Sequence, residues 1–208
     1  MHGANPPTHS ELAALRARMR TARQQLAPTE RMAAAQGLRR SLDELPAWSR
    51  ARRIGGYWAC AGEMPLNLAI APLAARKQAF YLPLLHGPRE LRFARWRPGD
   101  PVTPNRFGIP EPAAPARLLL RPDQLDLVLV PLLAFDRRGV RVGAGGGFYD
   151  GSFAFLLDAP RPTRPLLVGV GYALQEQPAL EPRPWDVPLD YVATEQALIQ
   201  CAVASVNP

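Results

Sequence analysis

The sequence has few of the residue types on which many active sites depend. It contains three histidines, at positions 2, 9 and 86, and two cysteines, Cys60 and Cys201. The two cysteines lack the spacing of a metal site or a redox motif, which suits a reducing compartment. No Gly-x-Ser-x-Gly turn and no His-Glu-x-x-His helix occurs. A serine nucleophile, a histidine base or a Cys/His zinc site is therefore poorly supported.

Long apolar runs are also missing. None approaches the roughly 20 residues of a membrane span, and the opening MHGANPPTHSEL lacks the apolar core of a secretory signal peptide. We therefore expect a cytoplasmic protein with no membrane partner. Residues 1–9 are predicted to form a disordered tail and residues 10–208 a single domain, which can bury about 70% of its unfolded surface. The sequence leaves open a monomer or a small homo-oligomer.

Lysine is almost absent. Lys77 is the one lysine among 25 Lys and Arg residues, so the other 24 are arginines. The formal net charge of +7 suggests acidic partners, nucleic acid among them. However, the arginines are spread along the chain, and an aromatic content of 8% is too low for a base-stacking platform. Nucleic acid is therefore an unfavoured partner.

The most informative segment runs from Asp126 to Asp150. Its apolar residues between 127 and 135 predict a strand buried on both faces. After a turn, four glycines fall within five residues, at 143, 145, 146 and 147. Glycine permits positive φ and close backbone approach, and successive exposed N–H groups form an anion-binding concavity. A helix predicted after this glycine-rich loop would direct its positive end at a bound phosphate.

The side chains around the glycine-rich loop strengthen the phosphate hypothesis. Arg141 offers a fork of donors, and Asp150 offers an oxygen ligand for the Mg²⁺ that a phosphate ligand carries. The loop is not a P-loop, because no Gly-Lys-Ser/Thr ends it. It is not a dinucleotide fingerprint either, because the sixth position counted from Gly143 is Phe148. A glycine-rich turn without a ligand is the alternative.

Six blocks in a fixed order resemble the 5-formyltetrahydrofolate cyclo-ligase (5,10-methenyltetrahydrofolate synthetase) family. They are an arginine-rich first helix, residues 57–63, 81–83 and 108–112, the loop at 141–150 after Pro-x-x-Ala-Phe-Asp, and residues 185–190. The resemblance implies ATP- and Mg²⁺-dependent closure of 5-formyltetrahydrofolate to 5,10-methenyltetrahydrofolate. The substrate is expected with or without a polyglutamate tail. The products would be released with ADP and phosphate, after phosphorylation of the formyl oxygen.

The resemblance also implies the roles of individual residues. Trp58, Glu63 and Phe148 would bind the folate, with Glu63 accepting hydrogen bonds from the pterin. Asp150 and Asp186 would hold Mg²⁺. Arg141 and Tyr149 would be catalytic. The residues implied to bind ATP are Arg16, Arg141, Val142, Gly143, Ala144, Gly145, Gly146, Gly147, Phe148 and Tyr149.

Three positions depart from the family pattern. Leu12 stands where a basic residue contacts ATP, four positions before Arg16. Gly151 stands where arginine is common, and Trp185 stands where histidine or asparagine is common. The predicted site therefore differs from the family's at these positions.

Strands alternate with helices along the chain, which predicts an α/β fold with a mostly parallel sheet covered on both faces. Predicted helices begin at Glu11, capped by Ser10, and span 28–45, 66–76, 151–158 and 196–203. Predicted strands span 53–58, 78–82 (ended by Pro83), 91–96, 127–135, 165–170 and 189–193. The exposed face of the first helix is predicted to carry Arg16, Arg18, Arg20 and Arg23.

The resemblance implies the three-layer α/β/α fold of sugar-phosphate isomerases and coenzyme A transferases. Two other functions stay open at this point. One is a sugar-phosphate isomerase or acyl-transfer relative of that fold, which would use the glycine-rich loop for a substrate phosphate. The other is a basic, non-enzymatic relative that binds nucleic acid.

Overall fold

A seven-stranded sheet forms the centre of the protein, whose computed structural model describes residues 8–202. The helices are α1 (His9–Gln25), α2 (Pro28–Asp43), α3 (Pro46–Arg50), α4 (Asn67–Ile70) and α5 (Phe148–Phe153). The strands are β1 (Arg53–Gly55), β2 (Ala79–Leu85), β3 (Leu91–Arg95), β4 (Val102–Pro104), β5 (Pro110–Pro112), β6 (Leu127–Pro131), β7 (Ala134–Phe135), β8 (Arg141–Val142), β9 (Leu166–Val170), β10 (Tyr191–Ala193) and β11 (Leu198–Gln200).

The order of strands in the sheet is β11-β10-β9-β6-β1-β2-β3. The five inner strands are parallel, and the edge strands β3 and β11 pair antiparallel with their neighbours. This confirms the predicted α/β class with a mostly parallel sheet. None of the helices within residues 8–202 is long and apolar enough to cross a membrane.

Alternate side chains of each strand enter two different cores, one on each face of the sheet. Leu127 and Leu129 of β6 pack with Leu38 of α2 and with α3 and α4. The intervening Val128 and Val130 pack with Phe153 of α5 on the opposite face. Since a strand points successive side chains to opposite faces, the continuous apolar run of β6 fills both cores. The helices thus form layers on both sides of the sheet.

The first helix begins two residues earlier than the sequence predicts. Thr8, rather than Ser10, is its N-cap: the Glu11 N–H donates to Thr8 Oγ1 (3.2 Å), and Glu11 Oε2 accepts from the Thr8 N–H (2.7 Å). This reciprocal capping box satisfies two backbone donors at the helix start. His9 is therefore helical, and residues 1–7 of the predicted tail lie outside the described residues.

The predicted C-terminal helix at 196–203 is wrong. Residues 198–200 form the edge strand β11, which pairs antiparallel with β10. Thr194 reverses the chain, because its Oγ1 accepts the N–H groups of Gln196 (3.2 Å) and Ala197 (3.1 Å). A short apolar run does not distinguish a strand from a helix. Residue 203 lies outside the described part of the chain.

Four other predicted elements have different boundaries in the structure. The run 127–135 divides into β6 and β7, and β7 pairs with β8. Of the helix predicted at 66–76, only α4 (Asn67–Ile70) is observed. The helix predicted at 151–158 is observed as α5, which begins at Phe148. Strand β2 continues through Pro83, because its cross-strand partner Phe93 exchanges hydrogen bonds with Leu120 instead. No ladder bond therefore requires an N–H at Pro83.

Gly37 sets the distance between α2 and the chain after β10. A Cβ at this position would lie 2.2 Å from the backbone oxygen of Glu195. Replacing an exposed helical glycine by alanine normally adds about 0.5–1 kcal/mol of stability. We expect Gly37→Ala instead to lower the free energy of unfolding by about 1–3 kcal/mol, because backbone must move. Urea unfolding measures this against Gln36→Ala on the exposed side of α2; equal or higher stability of Gly37→Ala would contradict the packing described.

Candidate active site

A cleft of about 620 Å³ opens where β1, β2 and β6 end. In open α/β sheets, ligands bind beyond the carboxyl ends of the strands. Every residue that the sequence predicts for the site lines this one cleft: Arg16, Trp58, Glu63, Arg141, Val142, Gly143, Ala144, Gly145, Gly146, Gly147, Phe148, Tyr149, Asp150 and Asp186. The structure therefore brings together residues up to 170 positions apart, while their roles stay predictions.

The glycine-rich loop connects β8 directly to α5. Two of its glycines need positive φ: Gly145 (108°) and Gly147 (68°), the latter being the N-cap of α5. The backbone N–H groups of residues 143–147 donate to no acceptor within residues 8–202. Successive N–H groups without protein partners form the kind of concavity that binds anions. The predicted loop geometry is thus present, although α5 has only six residues.

Arginines from two directions surround this loop. Arg16 Nε donates to the Gly143 carbonyl (2.9 Å), and Arg20 Nη2 donates to that of Ala144 (3.3 Å). The pKa of Arg16 is lowered, mainly by burial and then by the positive charges of Arg183 and Arg20. Like charges held this close favour an anion between them. Sequence reasoning missed Arg20 as a site residue, although it lies one helical turn after Arg16.

Both terminal nitrogens of the Arg141 guanidinium donate to protein groups, so the side chain cannot offer both of them to a ligand. Its side chain is buried, with Nη2 2.7 Å from Asp150 Oδ1 and Nη1 donating to the Val187 carbonyl (2.6 Å). The Val187 N–H donates to the same Asp150 oxygen (3.2 Å). Two donors therefore fix the Asp150 carboxylate, and among the described residues nothing donates to its Oδ2.

Asp186 lies near Asp150 in the cleft. Its Oδ2 accepts the Arg183 N–H (2.9 Å). The pKa of Asp186 is raised, mainly by burial, and the charge of Asp150 raises it further. Two partly buried carboxylates that repel each other are stabilised by a cation. Mg²⁺ in proteins takes one or two carboxylates together with substrate phosphates, and this pair fits that requirement.

The cation would need further ligands from outside the protein. Within residues 8–202, no cluster of three or more His, Cys, Asp or Glu side chains could hold a metal. Phosphate oxygens at the neighbouring glycine-rich loop are of the required type. The residues present are therefore suited to a metal–phosphate complex and unsuited to a metal bound by protein alone.

Glu63 is the most buried carboxylate of the cleft. Burial raises its pKa, opposed by the Cys60 N–H that donates to Oε2 (3.1 Å) and by Arg23, whose Nη1 lies 4.0 Å from Oε1. Burial also lowers the pKa of Arg23. Both shifts show that desolvation exceeds their mutual attraction. A ligand that donates hydrogen bonds to Glu63 would relieve this cost.

The prediction that Arg23 lies on an exposed face is wrong. Arg23 is 3% exposed and donates to the carbonyls of Leu132 (3.3 Å) and Ala61 (3.1 Å). It thereby joins the segment after β6 to the segment after β1 and lies beside Glu63. Helical spacing carries a signal for this burial, because Arg23 lies one turn after Met19 on the face that also carries Leu12.

Aromatic rings form another wall of the cleft. Trp58 packs edge-to-face against Trp96, with ring centroids 5.5 Å apart, and Phe148 packs similarly against Phe107 at 6.1 Å. The Tyr149 ring stacks on Phe153 (6.2 Å, 15°). Offset and edge-to-face pairs of this kind hold rings in fixed orientations. Planar groups of a ligand can therefore contact rings whose positions are already set.

The hydroxyl of Tyr149 is buried without a hydrogen-bond partner among the described residues. Its pKa is raised, mainly by burial and then by the charge of Glu63. Buried polar groups are nearly always paired. A protonated phenol between Glu63 and Arg141 is therefore a donor suited to a ligand.

The three departures from the family pattern have different surroundings. Leu12 packs with the apolar cluster between α1 and the β7–β8 hairpin. A Cβ at Gly151 would lie 2.5 Å from the Arg89 carbonyl oxygen, so this close approach requires glycine. Trp185 is 59% exposed on the cleft wall, with the Arg183 guanidinium 5.7 Å from its ring.

Comparison with known proteins identifies the family of the chain. The model of the 5-formyltetrahydrofolate cyclo-ligase family matches residues 8–195. The chain belongs to that family. Family membership confirms the resemblance seen in the six sequence blocks, and with it the prediction of an enzyme, a ligase of folate one-carbon metabolism.

Individual relatives match over most of their length. The 5-formyltetrahydrofolate cyclo-ligase of Haemophilus influenzae is 33% identical over 84% of this chain and 92% of its own. The enzyme of the same name from Escherichia coli is 30% identical over 85% and 96%. An NMR structure of 5,10-methenyltetrahydrofolate synthetase from Aquifex aeolicus superposes with a TM-score of 0.76 at 26% identity, covering 95% of this chain and 96% of that one.

Proposed function

We propose that this member of the cyclo-ligase family converts 5-formyltetrahydrofolate to 5,10-methenyltetrahydrofolate at the expense of ATP, with Mg²⁺ as cofactor. The observation that carries the proposal is the meeting of two unlike subsites in one cleft. One subsite has free backbone N–H groups, arginines and a carboxylate pair; the other has Glu63 among aromatic rings. The first suits a nucleotide triphosphate, and the second suits a planar, hydrogen-bonding ring system.

The chain's own groups would bind and align ATP. The N–H groups of residues 143–147 would donate to phosphate oxygens, while Arg16, Arg20 and Arg183 would balance their charge. Asp150 and Asp186 would hold Mg²⁺, which supplies charge neutralisation at the γ-phosphate when bound. Arg141 would keep the Asp150 carboxylate in place.

Glu63 would bind the folate through its pterin. An ionised carboxylate accepts hydrogen bonds from an amide N–H and an amino N–H together. Trp58 and Phe148 would contact the flat faces or edges of the ring system. This arrangement would direct the formyl oxygen toward the γ-phosphorus, and such alignment is a large part of catalysis in phosphoryl transfer.

The reaction would proceed in two displacements. The formyl oxygen attacks the γ-phosphorus, a new P–O bond forms, and the bond to ADP breaks. N10 then attacks the formyl carbon with its lone pair, the C–O bond breaks, and phosphate leaves with the former formyl oxygen. N10 releases its proton, so that the product carries the N5–C–N10 bridge. No nucleophile from the protein is required in either step.

Tyr149 would donate its hydroxyl proton in a hydrogen bond to the reacting formyl or phosphoryl oxygen. We expect Tyr149→Phe to lower kcat by about 100- to 1,000-fold, as losing one transition-state donor does. The same variant should be more stable to urea by about 1 kcal/mol, because the deleted hydroxyl has no protein partner within residues 8–202. Tyr191→Phe, on β10, serves as a control. Unchanged kcat, or a loss of stability, would contradict this role.

Product stoichiometry distinguishes the proposal from other activities of the fold. We expect one ADP and one phosphate for each methenyl product, with formyl-¹⁸O recovered in the phosphate. A sugar-phosphate isomerase or acyl-transfer enzyme would turn over its substrate without ATP. Recovery of the label in water instead of phosphate would contradict attack by the formyl oxygen.

A further inference from the structure

The hairpin of β4 and β5 contributes to one wall of the cleft. Within residues 8–202 these strands pair only with each other, and their tip at 105–109 carries Phe107 to the cleft. Phe107 is 58% exposed, so burial in a core does not hold it in place. Its ring nevertheless packs edge-to-face against Phe148, the first residue after the glycine-rich loop, at 6.1 Å.

Glu111 joins this hairpin to the main sheet. Its Oε1 accepts the backbone N–H of Leu85 (2.9 Å) and an Nδ2 proton of Asn105 (2.8 Å). The pairing of β2 with β1 ends at Tyr81, so the Leu85 N–H lies beyond the reach of β1. The Glu111 carboxylate thus accepts an N–H of β2 that no neighbouring strand accepts. This hydrogen bond holds the β4–β5 hairpin against the end of β2.

Asn105 transmits this anchorage to the hairpin tip. Its Oδ1 accepts the N–H groups of Phe107 (2.8 Å) and Ile109 (3.1 Å), and its carbonyl accepts the Gly108 N–H (2.9 Å). Gly108 adopts a φ of 74°, which closes the turn. Because one Asn side chain bonds both Glu111 and the tip, moving the carboxylate moves Phe107.

We propose that Glu111 is a positioning residue, which through Asn105 holds Phe107 against Phe148 and so shapes the apolar wall that contacts the folate. Pro83, Leu85 and Leu91 add apolar side chains to the lining of the cleft. Arg16 and Arg20 bond Gly143 and Ala144, at the opposite end of the loop from Phe148. Loss of the anchorage therefore affects the folate and leaves ATP binding almost unchanged. This inference rests on the proposed function only for the identity of the ring system.

Steady-state kinetics with Glu111→Ala and Glu111→Gln test the inference. A glutamine Oε1 can still accept both hydrogen bonds, whereas alanine accepts neither. We expect Glu111→Ala to raise KM for 5-formyltetrahydrofolate about tenfold, because binding the folate must then also order the released hairpin tip. KM for ATP should change less than about twofold. In Glu111→Gln, KM for the folate should stay near the wild-type value. The same is expected of Thr103→Ala, which changes the exposed cross-strand neighbour of Glu111.

Limited proteolysis gives a readout independent of activity. Trypsin cleaves after Arg106 at the hairpin tip, and mass spectrometry follows the 106–107 bond. We expect faster cleavage there in Glu111→Ala than in wild type, Glu111→Gln or Thr103→Ala, because a released tip opens more often. Equal cleavage and equal folate KM in all four proteins would overturn the proposal. A Glu111→Gln variant as defective as Glu111→Ala would also overturn it, because the two bonds would then not be the cause.

Phe107→Ala keeps the test decisive if Glu111→Ala does not fold. The side chain is mostly exposed, so its removal spares the core. We expect the same rise in folate KM, while trypsin cleaves after Arg106 at about the wild-type rate because Glu111 still anchors the hairpin. Normal folate KM in Phe107→Ala would overturn the proposal. If the wild type forms no methenyl product at all, the proposed function fails, whereas the tryptic comparison still decides whether Glu111 anchors the hairpin.

Discussion

Replacing Asp150 by asparagine should reduce kcat about a thousandfold or more, with the fold unchanged. Asparagine preserves the oxygen that accepts from Arg141 and Val187. It removes the negative charge that Mg²⁺ requires, and a metal's stabilisation of phosphoryl charge contributes several kcal/mol. Steady-state turnover across a range of Mg²⁺ concentrations measures the effect. Raised Mg²⁺ should restore only part of the rate.

Asparagine is a better test here than alanine. In Asp150→Ala, the buried Arg141 would lose its carboxylate partner, and an uncompensated buried charge costs about 3–5 kcal/mol of stability. Asp123→Asn is a suitable control, because Asp123 also pairs with an arginine, Arg121, but on the surface. If Asp150→Asn keeps a near-normal kcat and Mg²⁺ dependence, Asp150 is not a metal ligand.

Replacing Glu63 should impair folate binding selectively. We expect Glu63→Gln to raise KM for 5-formyltetrahydrofolate about 10- to 100-fold, since hydrogen bonds to a charged group contribute about 1.5–3 kcal/mol. KM for ATP should stay within about twofold of wild type. Thermal unfolding must accompany the kinetics, because Arg23 loses a partner 4.0 Å away. If only KM for ATP changes, the assignment of Glu63 to the folate is wrong.

The pH dependence of kcat/KM in wild type and Glu63→Gln gives an independent check of the assignment of Glu63 to the folate. Burial raises the pKa of Glu63 above its usual value, and only the ionised carboxylate accepts two donors. In wild type, kcat/KM for the folate should therefore fall as pH decreases through this raised pKa. Glu63→Gln should lack this acidic limb while retaining any limb due to the substrates. An identical limb in both proteins would assign the titration to another group.

The sequence predicts the glycine-rich loop because its signals there are local. A strand followed by clustered glycines specifies a loop at a strand end, and parallel strands carry their carboxyl ends to one edge. The position of Glu63 at this edge could be predicted from the strand that it follows, whereas the pairing of Asp150 with Asp186 was implied only by the family resemblance. The two positive φ angles at Gly145 and Gly147 agree with the use of glycine there.

Contacts between distant segments are what the sequence does not show. Arg23 shares a helix face with Met19, but only the structure shows that the packing of α1 on the segments after β1 and β6 buries it. The role of Glu111 is likewise invisible in the sequence, where it is one of several loop carboxylates. Only the structure shows that β2 extends past β1 and that Glu111 accepts the Leu85 N–H there. Strand β11 was missed because its pairing with β10 outweighs local helix propensity.

The most direct measurement is absorbance in the methenyl band after mixing the protein with 5-formyltetrahydrofolate and Mg²⁺, with and without ATP. Our account predicts a rise that requires ATP, stops when ATP is exhausted, and is about a thousandfold slower in Asp150→Asn. A rise of equal rate without ATP, or no rise with both substrates bound, would contradict it.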